Sequence, residues 1–514
     1  MATVTRRASR HGEEPDGGHQ GFASRVASAF GDSFAIIACD RVIQIVFTAI
    51  LARLLTPAEF GVSAAGLVLV AFAGLFSQLG LGGALIQKPD LNPRTLATAQ
   101  AIAIASAVLV MLALWFLAPL AAEWFRKPQT RDVVRALSVL CFLQALMIGP
   151  NALLTRRLSA RLLGLIDLVA GAAGTALVAI PMALAGFSYW SIVGGIVGQV
   201  TVKVVLLWVA MAPSRFVAFD LGDARQLLVR GGGFLLTNLL QRISLEGDRL
   251  IVGRYLSAAH LGLYSRASSL ASFSPRFYGA VLDRVAFPAF AHLQRHPERL
   301  RKAYLHGVSL TALLGWPAMV FLFATSPDVV LVALGASWVG AILPLQILCG
   351  TLYFELSSRL NGALLRGSGR PYRMAGVQGL AAAMTVLGCL WGSRYGLAGI
   401  ATAVLCVSVL NDLILTVLAA RLAAVSLPHF LGSQASGAAL ALLVALIVVP
   451  LVWVAHQLEL APILTLALAT GLTGGAVLAA IRMAPRIFLG PAGETLLGLA
   501  LARLPMQPRP SASV

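Results

Sequence analysis

Long apolar runs separated by short polar stretches make up most of this chain. A helix that crosses the hydrocarbon core of a bilayer needs about 20 mostly apolar residues. Fourteen runs reach that length, at roughly 33–52, 62–85, 96–119, 133–154, 163–184, 187–210, 233–254, 264–289, 303–325, 340–364, 372–392, 396–419, 436–456 and 461–482. The pairs at 163–210 and 372–419 are joined by very short turns. No polar stretch between runs is much longer than about 20 residues, so no inserted soluble domain fits. The pattern predicts an all-α polytopic membrane protein of about fourteen transmembrane helices.

Composition strengthens this picture. Of 514 residues, 58% are hydrophobic and 12% are charged, about half the charged fraction of a soluble domain. Such a chain cannot cover its surface with polar groups, which excludes a soluble enzyme, a disordered protein and a nucleic-acid binder. The net charge of +18 then reads as the lysine and arginine bias of cytoplasmic loops. Counted over the connections, 24 basic residues fall on the side of the N-terminal Arg6, Arg7, Arg10 and Arg25, and 8 on the other. The richer side is assigned to the cytoplasm, with both termini there. Residues 1–32 have no signal-peptide core, so the first apolar run is expected to be a retained span. The segment from Arg486 onward predicts a short amphipathic stretch and a polar tail.

The chain also repeats itself. Residues 52–63 read ARLLTPAEFGVS and residues 253–264 read GRYLSAAHLGLY. At an offset of 201, Arg53 matches Arg254, Leu55 matches Leu256, Ala58 matches Ala259, Gly61 matches Gly262, and Thr56 pairs with the hydroxyl of Ser257. The same offset places Arg41 on Arg242. Six segments separate the copies, so they share an orientation, and the halves should relate by an axis along the membrane normal. Duplicated halves around a central site are a transporter architecture. The division expected is a tail (1–32), an N-half (33–215), a C-half (216–425), two peripheral helices (426–485) and a second tail (486–514).

Seven basic and seven acidic residues lie at bilayer depth, where each charge costs at least about 2.5–3.5 kcal/mol and tends to face a cavity or a partner. Arg242, Glu246 and Arg249 share one helix face. Glu355 and Arg359 form an i, i+4 pair. Arg276, Asp283 and Arg284 cluster in the eighth segment. One reading aims Arg41, Arg242, Arg249, Arg276, Arg284 and Arg359 into a wet central cavity, because the planar guanidinium fork suits a phosphate group. The other makes them interhelical ion pairs, and the equal count of acids leaves both open. Lys203 and Asp412 are expected to serve structure, and Asp167 lies elsewhere in the spans. Asp248, Asp283 and Glu355 are the candidates for a coupling ion, with Asp248 favoured because it adjoins Arg249.

No catalytic constellation is present. No G-x-x-x-x-G-K-[ST] loop exists, so ATP hydrolysis is not expected. The five cysteines lie in apolar runs without ligand spacing. No catalytic residue, cofactor or metal is therefore expected.

Several blocks resemble a known family. They are ARLLTPAEFG (52–61) with QLGLGGALIQKPD (78–90), RLIVGRYLSAAHLGLYSRA (249–267), VAFPAFAHLQRHPERLRKAY (285–304), and GASWVGAILPLQIL (335–348) with ALLRGSGRP (363–371). In this order they resemble the Wzx-type polysaccharide flippases of the multidrug/oligosaccharidyl-lipid/polysaccharide exporter superfamily. Gln78 departs from an acidic residue frequent in relatives. The resemblance implies two six-helix lobes in the bacterial inner membrane. It implies an undecaprenyl-diphosphate-linked oligosaccharide as substrate, in exopolysaccharide, O-antigen or capsule synthesis. Glycosyltransferase and polymerase partners are implied as well. Two alternatives compete. Membrane-depth arginines in both halves argue against a cation-coupled drug exporter, and the lack of a large outer loop argues against a polysaccharide polymerase or ligase.

Overall fold

The structure is a computed structural model that describes residues 42–87, 92–156, 160–211, 220–272, 289–367 and 371–488, with Ile36, Cys39, Asp40 and Ala286 placed singly. Among the described residues every regular element is a helix. The N-half holds α1 (Val42–Leu54), α2 (Pro57–Gln78), α3 (Leu81–Gln87), α4 (Pro93–Phe125), α5 (Gln129–Leu146), α6 (Ile148–Arg156), α7 (Ala160–Leu184) and α8 (Trp190–Ala210). The C-half holds α9 (Leu221–Tyr255), α10 (Ala258–Ala271), α11 (Pro297–Ala333), α12 (Ile342–Cys349), α13 (Thr351–Gly367), α14 (Pro371–Gly392) and α15 (Gly396–Leu422). Then follow α16 (Leu427–Gln457) and α17 (Pro462–Met483).

Each of the fourteen apolar segments maps onto helix where it is described. By length and apolarity, eight helical stretches qualify to cross a membrane, or ten if each bent pair is one span. The difference from fourteen has physical causes. The stretch Gly376–Leu422 contains two segments, turned at Ser393–Tyr395. The segments at 33–52 and 264–289 run outside the described residues. α9 carries Arg242, Glu246, Asp248 and Arg249, too many charges for an apolar window. The fourth and tenth segments are broken: α5 meets α6 at 42°, and the α12 stretch meets α13 at 41°.

The two halves meet where the repeat is strongest. α2 starts with a capping box: the Thr56 hydroxyl accepts from Glu59 N, and the Glu59 carboxylate accepts from Thr56 N at 2.6 Å. α10 starts at the matching place, with Ser257 accepting from His260 N at 3.3 Å. Such caps satisfy free N–H groups at a helix start. The two helices then cross backbone against backbone. A Cβ on Gly61 would overlap the carbonyl oxygen of Ala258, and one on Gly262 would overlap that of Pro57. Pro57 and Ala258 stand at the same 201-residue offset as the glycines. The contact is therefore reciprocal, which is the signature of a two-fold relation between halves.

Around the crossing the chain exchanges caps. Arg53 Nη2 donates to the carbonyl of Val332 at 2.9 Å, in the last turn of α11. Arg254 Nη1 donates to Glu123 and Trp124, at 3.3 and 3.0 Å, in the last turn of α4. Each arginine, itself in the last turn of α1 or α9, thus satisfies carbonyls at a helix C-terminus of the opposite half, where a cation is also favoured by the helix dipole. Fully buried Trp338 donates its indole N–H to Ala52 O at 2.8 Å and meets Phe60 edge-on, with ring centres 5.1 Å apart. One apolar cluster includes Leu51, Phe60 and Phe125 from the N-half and Val252, Leu261 and Trp338 from the C-half.

At the opposite end the contact is of another kind. The N-terminal turns of α9 lie on α3 and α4. Thr95 donates to Asp223 at 2.6 Å, Asp220 N donates to Thr98 at 3.1 Å, and Leu227 packs with Leu81 and Leu85. Farther out, α16 and α17 pack on α11. Gly437 touches the Ala312 backbone, Trp316 bonds Gln434 at 3.3 Å, and His456 lies 3.2 Å from buried Asp328. The outer faces of these two helices expose Leu442, Leu446, Leu464 and Leu472, as a lipid-facing surface would.

Gly61→Ala and Gly262→Ala should each destabilise the protein by about 1–3 kcal/mol through overpacking, while Gly475→Ala, with open space at its Cβ, should not. Melting temperatures of the three variants in detergent check this. Equal values would remove the crossing as the contact that joins the halves.

Candidate functional site

Each half holds a polar cavity. In the C-half, α9, α10, α12, α13, α14 and α15 line about 230 Å³. In the N-half, α2, α3, α5, α6, α7 and α8 line about 380 Å³. The helix breaks belong to these walls: the α5–α6 bend lies between Gln144 and Asn151, and the α12–α13 bend lies between Leu348 and Thr351. Polar groups at membrane depth are tolerated when they line a wet cavity or find partners.

The C-half cavity gathers charges. Asp248 comes from α9, Glu355, Arg359 and Arg366 from α13, Gln378 from α14 and Asn411 from α15. On α13 the residues 355, 359 and 366 follow one helical stripe, because i, i+4 and i+11 return to the same face. Thr351 donates to Glu355 at 3.3 Å. Asp248 is buried and accepts from the Tyr264 hydroxyl at 2.7 Å and from Arg249 N at 2.8 Å.

Arg242, Glu246 and Arg249 form a chain along α9. Arg242 lies 3.5 Å from Glu246, and Arg249 pairs with the other oxygen of the same carboxylate. Arg249 Nη2 also donates to Ser268 at 3.4 Å, and Ser268 lines the cavity. Neither arginine is itself among the cavity-lining residues. The Nε–H of Arg249 is buried and has no acceptor. A buried donor left unmade costs about 1–3 kcal/mol, so this atom is placed to gain from an added acceptor.

The structure thus brings Asp248, Glu355 and Arg359 to one cavity and puts Arg242 and Arg249 on a neighbouring face. Arg41, Arg276, Asp283 and Arg284 lie outside the described residues. Arg366 joins the cavity although the sequence places it in a cytoplasmic connection. Its signal was present as the continuation of the Glu355–Arg359 stripe by two turns.

The N-half cavity differs in chemistry. Gln78, Gln144, Asn151, Thr155 and Gln199 line it, with one ion pair, Lys203–Asp167 at 2.5 Å. Gln78 Nε2 donates to Gln144 Oε1 at 3.1 Å. Charge-based reasoning passes over these amides. Asp412, expected to serve structure, sits in a knot of neutral donors: Asn361 Nδ2 at 3.2 Å and Ser358 at 3.3 Å, with Tyr304 donating to Asn361 at 2.8 Å. It ties α11, α13 and α15 together. Among the described residues no group of three or more His, Cys, Asp or Glu is placed to hold a metal ion.

Comparison with known proteins sets this architecture in a family. Residues 50–343 match the family described as polysaccharide biosynthesis protein. The teichuronic acid biosynthesis protein TuaB of Bacillus subtilis is 26% identical over 65% of this chain and 69% of its own length. The succinoglycan biosynthesis transport protein ExoT of Rhizobium meliloti is 28% identical over 58% of this chain, a match that spans 60% of ExoT. The lipopolysaccharide biosynthesis protein WzxC of Escherichia coli is 24% identical over 62% of this chain and 65% of its own. Among solved structures, the lipid II flippase MurJ in an inward closed conformation superposes with a TM-score of 0.70 over 87% of this chain and 98% of that one, at 11% identity. An inward-facing multidrug resistance transporter of the MATE family gives 0.58 over 74% of this chain and 95% of its own, at 16% identity. These likenesses show the fold. With the family match spanning more than half of its length, the chain belongs to the polysaccharide biosynthesis protein family.

Proposed function

We propose that the protein is a flippase of the bacterial inner membrane. It carries undecaprenyl-diphosphate-linked oligosaccharide repeat units from the cytoplasmic to the periplasmic leaflet by alternating access. The observation that carries this reading is the pair of polar cavities, one in each half, with Arg359 and Arg366 on the wall of one of them. A diphosphate is met by guanidinium groups through short, charge-assisted and bidentate hydrogen bonds. The names of the relatives support it: ExoT is a transport protein of succinoglycan biosynthesis, WzxC belongs to lipopolysaccharide biosynthesis and MurJ flips lipid II. A drug-export reading finds less support, because the cavity that holds Asp248 and Glu355 also holds two arginines. The lipid bilayer is the medium of the reaction, and glycosyltransferases and a polymerase are its proposed neighbours.

In this reading the end that carries Arg53 and Arg254 faces the periplasm and is closed. Both termini are cytoplasmic. The substrate's head group enters from the cytoplasmic end. Arg249 offers its unpartnered N–H, with Arg242 on the same helix face. Arg41, Arg276 and Arg284, which lie outside the described residues, are the further arginines that the sequence offers to the diphosphate. The cytoplasm is the negative side, so outward movement of a diphosphate is favoured by about 2.3 kcal/mol per charge per 100 mV. Return of the empty cavity's arginines toward the negative cytoplasm is favoured by the same field. Asp248, Asp283 and Glu355 are the candidates for a proton or sodium ion that would ride inward with them.

Two experiments test this. In vesicles loaded with lipid-linked oligosaccharide extracted from cells that lack the protein, the wild type should move the lipid between leaflets. Arg242→Ala, Arg249→Ala or Arg359→Ala should slow it about tenfold or more, since a hydrogen bond to a charged group is worth about 1.5–3 kcal/mol. Lysine at these positions should restore only part of the rate. A triple alanine variant of unchanged rate would reject the diphosphate site. A rate that responds to voltage but not to a proton or sodium gradient, unchanged by Asp248→Asn, would remove ion coupling. The second experiment reads the closed end. In a cysteine-free background, Arg53→Ala with Arg254→Ala should raise labelling of Ser268→Cys by a membrane-impermeant maleimide added outside. Unchanged labelling would show that these caps do not hold that end shut.

A further inference from the structure

The N-half cavity offers no unpaired cation to a diphosphate. Its single ammonium, Lys203, is held by Asp167 at 2.5 Å, so the lining carries no net charge. The remaining polar lining is neutral: Gln78, Gln144, Asn151, Thr155 and Gln199. Gln78 and Gln144 bond each other, which leaves the Gln144 amide N–H groups and the Gln78 carbonyl available. Asn151, Thr155 and Gln199 make no side-chain hydrogen bond among the described residues.

Asn151 and Gln199 are half-buried and Thr155 is exposed, so their polar groups stay reachable. Two amides and a hydroxyl without protein partners thus face one space of about 380 Å³ and are available to what enters it. That volume lies within the range of small-molecule sites. Each amide presents a donor and an acceptor side by side, the pattern offered by vicinal hydroxyl groups of a sugar ring. An anion would find no free cation here. An organic cation would find no free carboxylate.

We propose that the N-half cavity is a saccharide subsite, built to take neutral sugar hydroxyls from Gln144, Asn151, Thr155 and Gln199. The reading rests on the flippase function for the identity of its ligand. A lipid-linked oligosaccharide then divides between the halves: its diphosphate goes to the C-half arginines and its sugars to the N-half amides.

Binding to the purified full-length protein in nanodiscs tests it. Three probes are used: undecaprenyl diphosphate, the lipid-linked oligosaccharide extracted from cells that lack the protein, and the same oligosaccharide released by mild acid. The wild type should bind the glycosylated lipid at least tenfold more tightly than the bare diphosphate. Asn151→Leu with Gln199→Leu should abolish that advantage, leave the bare lipid's affinity unchanged, and end any binding of the released sugar. Melting temperature confirms folding, and Gln199→Ala serves as a milder second variant. Equal affinity of the wild type for both lipids overturns the subsite. So does a double variant that loses both lipids together or keeps the full advantage. If the wild type binds the released sugar but neither lipid, the flippase reading falls while the subsite stands. If it binds no probe, both fall.

Discussion

Two glycines meeting two carbonyls hold this architecture together. At Gly61 and Gly262 the absence of a side chain lets α2 and α10 touch backbone to backbone. Lipid offers no hydrophobic push between helices, so close approach through small residues is how such helices gain contact energy. What surrounds the crossing follows from it. The last turns of α1 and α9, just before these helices, are brought within reach of the other half, so Arg53 and Arg254 can cap helices they do not belong to. Trp338 can then fill the space above Phe60 and bond Ala52. A methyl group at either glycine would lift the helices apart and loosen all of these together.

The parts of this fold that were legible in the sequence are those written in one dimension. Apolar length marks a span. A repeated block marks a duplication, and it aligns Gly61 with Gly262 at one offset. The cavities were less legible because they depend on which helices are neighbours. Glu355 and Arg359 could be placed on one stripe, but only the packing of α9, α14 and α15 turns that stripe into a wall. Charge drew attention to Arg242 and Arg249, which the structure ties first to Glu246. The N-half amides drew none, because an uncharged glutamine in an apolar run looks like a minor interruption. Gln78 had stood out only as a departure from an acidic residue.

The two halves hold cavities of different chemistry. One is lined by Arg359, Arg366 and Glu355, the other by amides and a neutralised lysine. The peripheral pair α16 and α17 stands outside this scheme. It is bound to α11 through Gly437, Trp316 and Asp328 and turns leucines outward.

α9 runs 35 residues without a break, from Leu221 to Tyr255. At 1.5 Å per residue it is a rod of about 50 Å, well beyond the roughly 30 Å of a bilayer's hydrocarbon core. One end is anchored beside the buried cluster at Val252, and the other rests on α3 and α4 through Thr95, Thr98 and Leu227. It is therefore a lever with its fulcrum near the glycine crossing. A tilt of about 10° there would sweep the far tip through roughly 9 Å, given that length. The seat of that tip includes two hydrogen bonds, which water can replace, beside the Leu227 contact, whereas the fulcrum is apolar. Small rotations at the crossing are thus amplified at the end where the contacts are easiest to exchange.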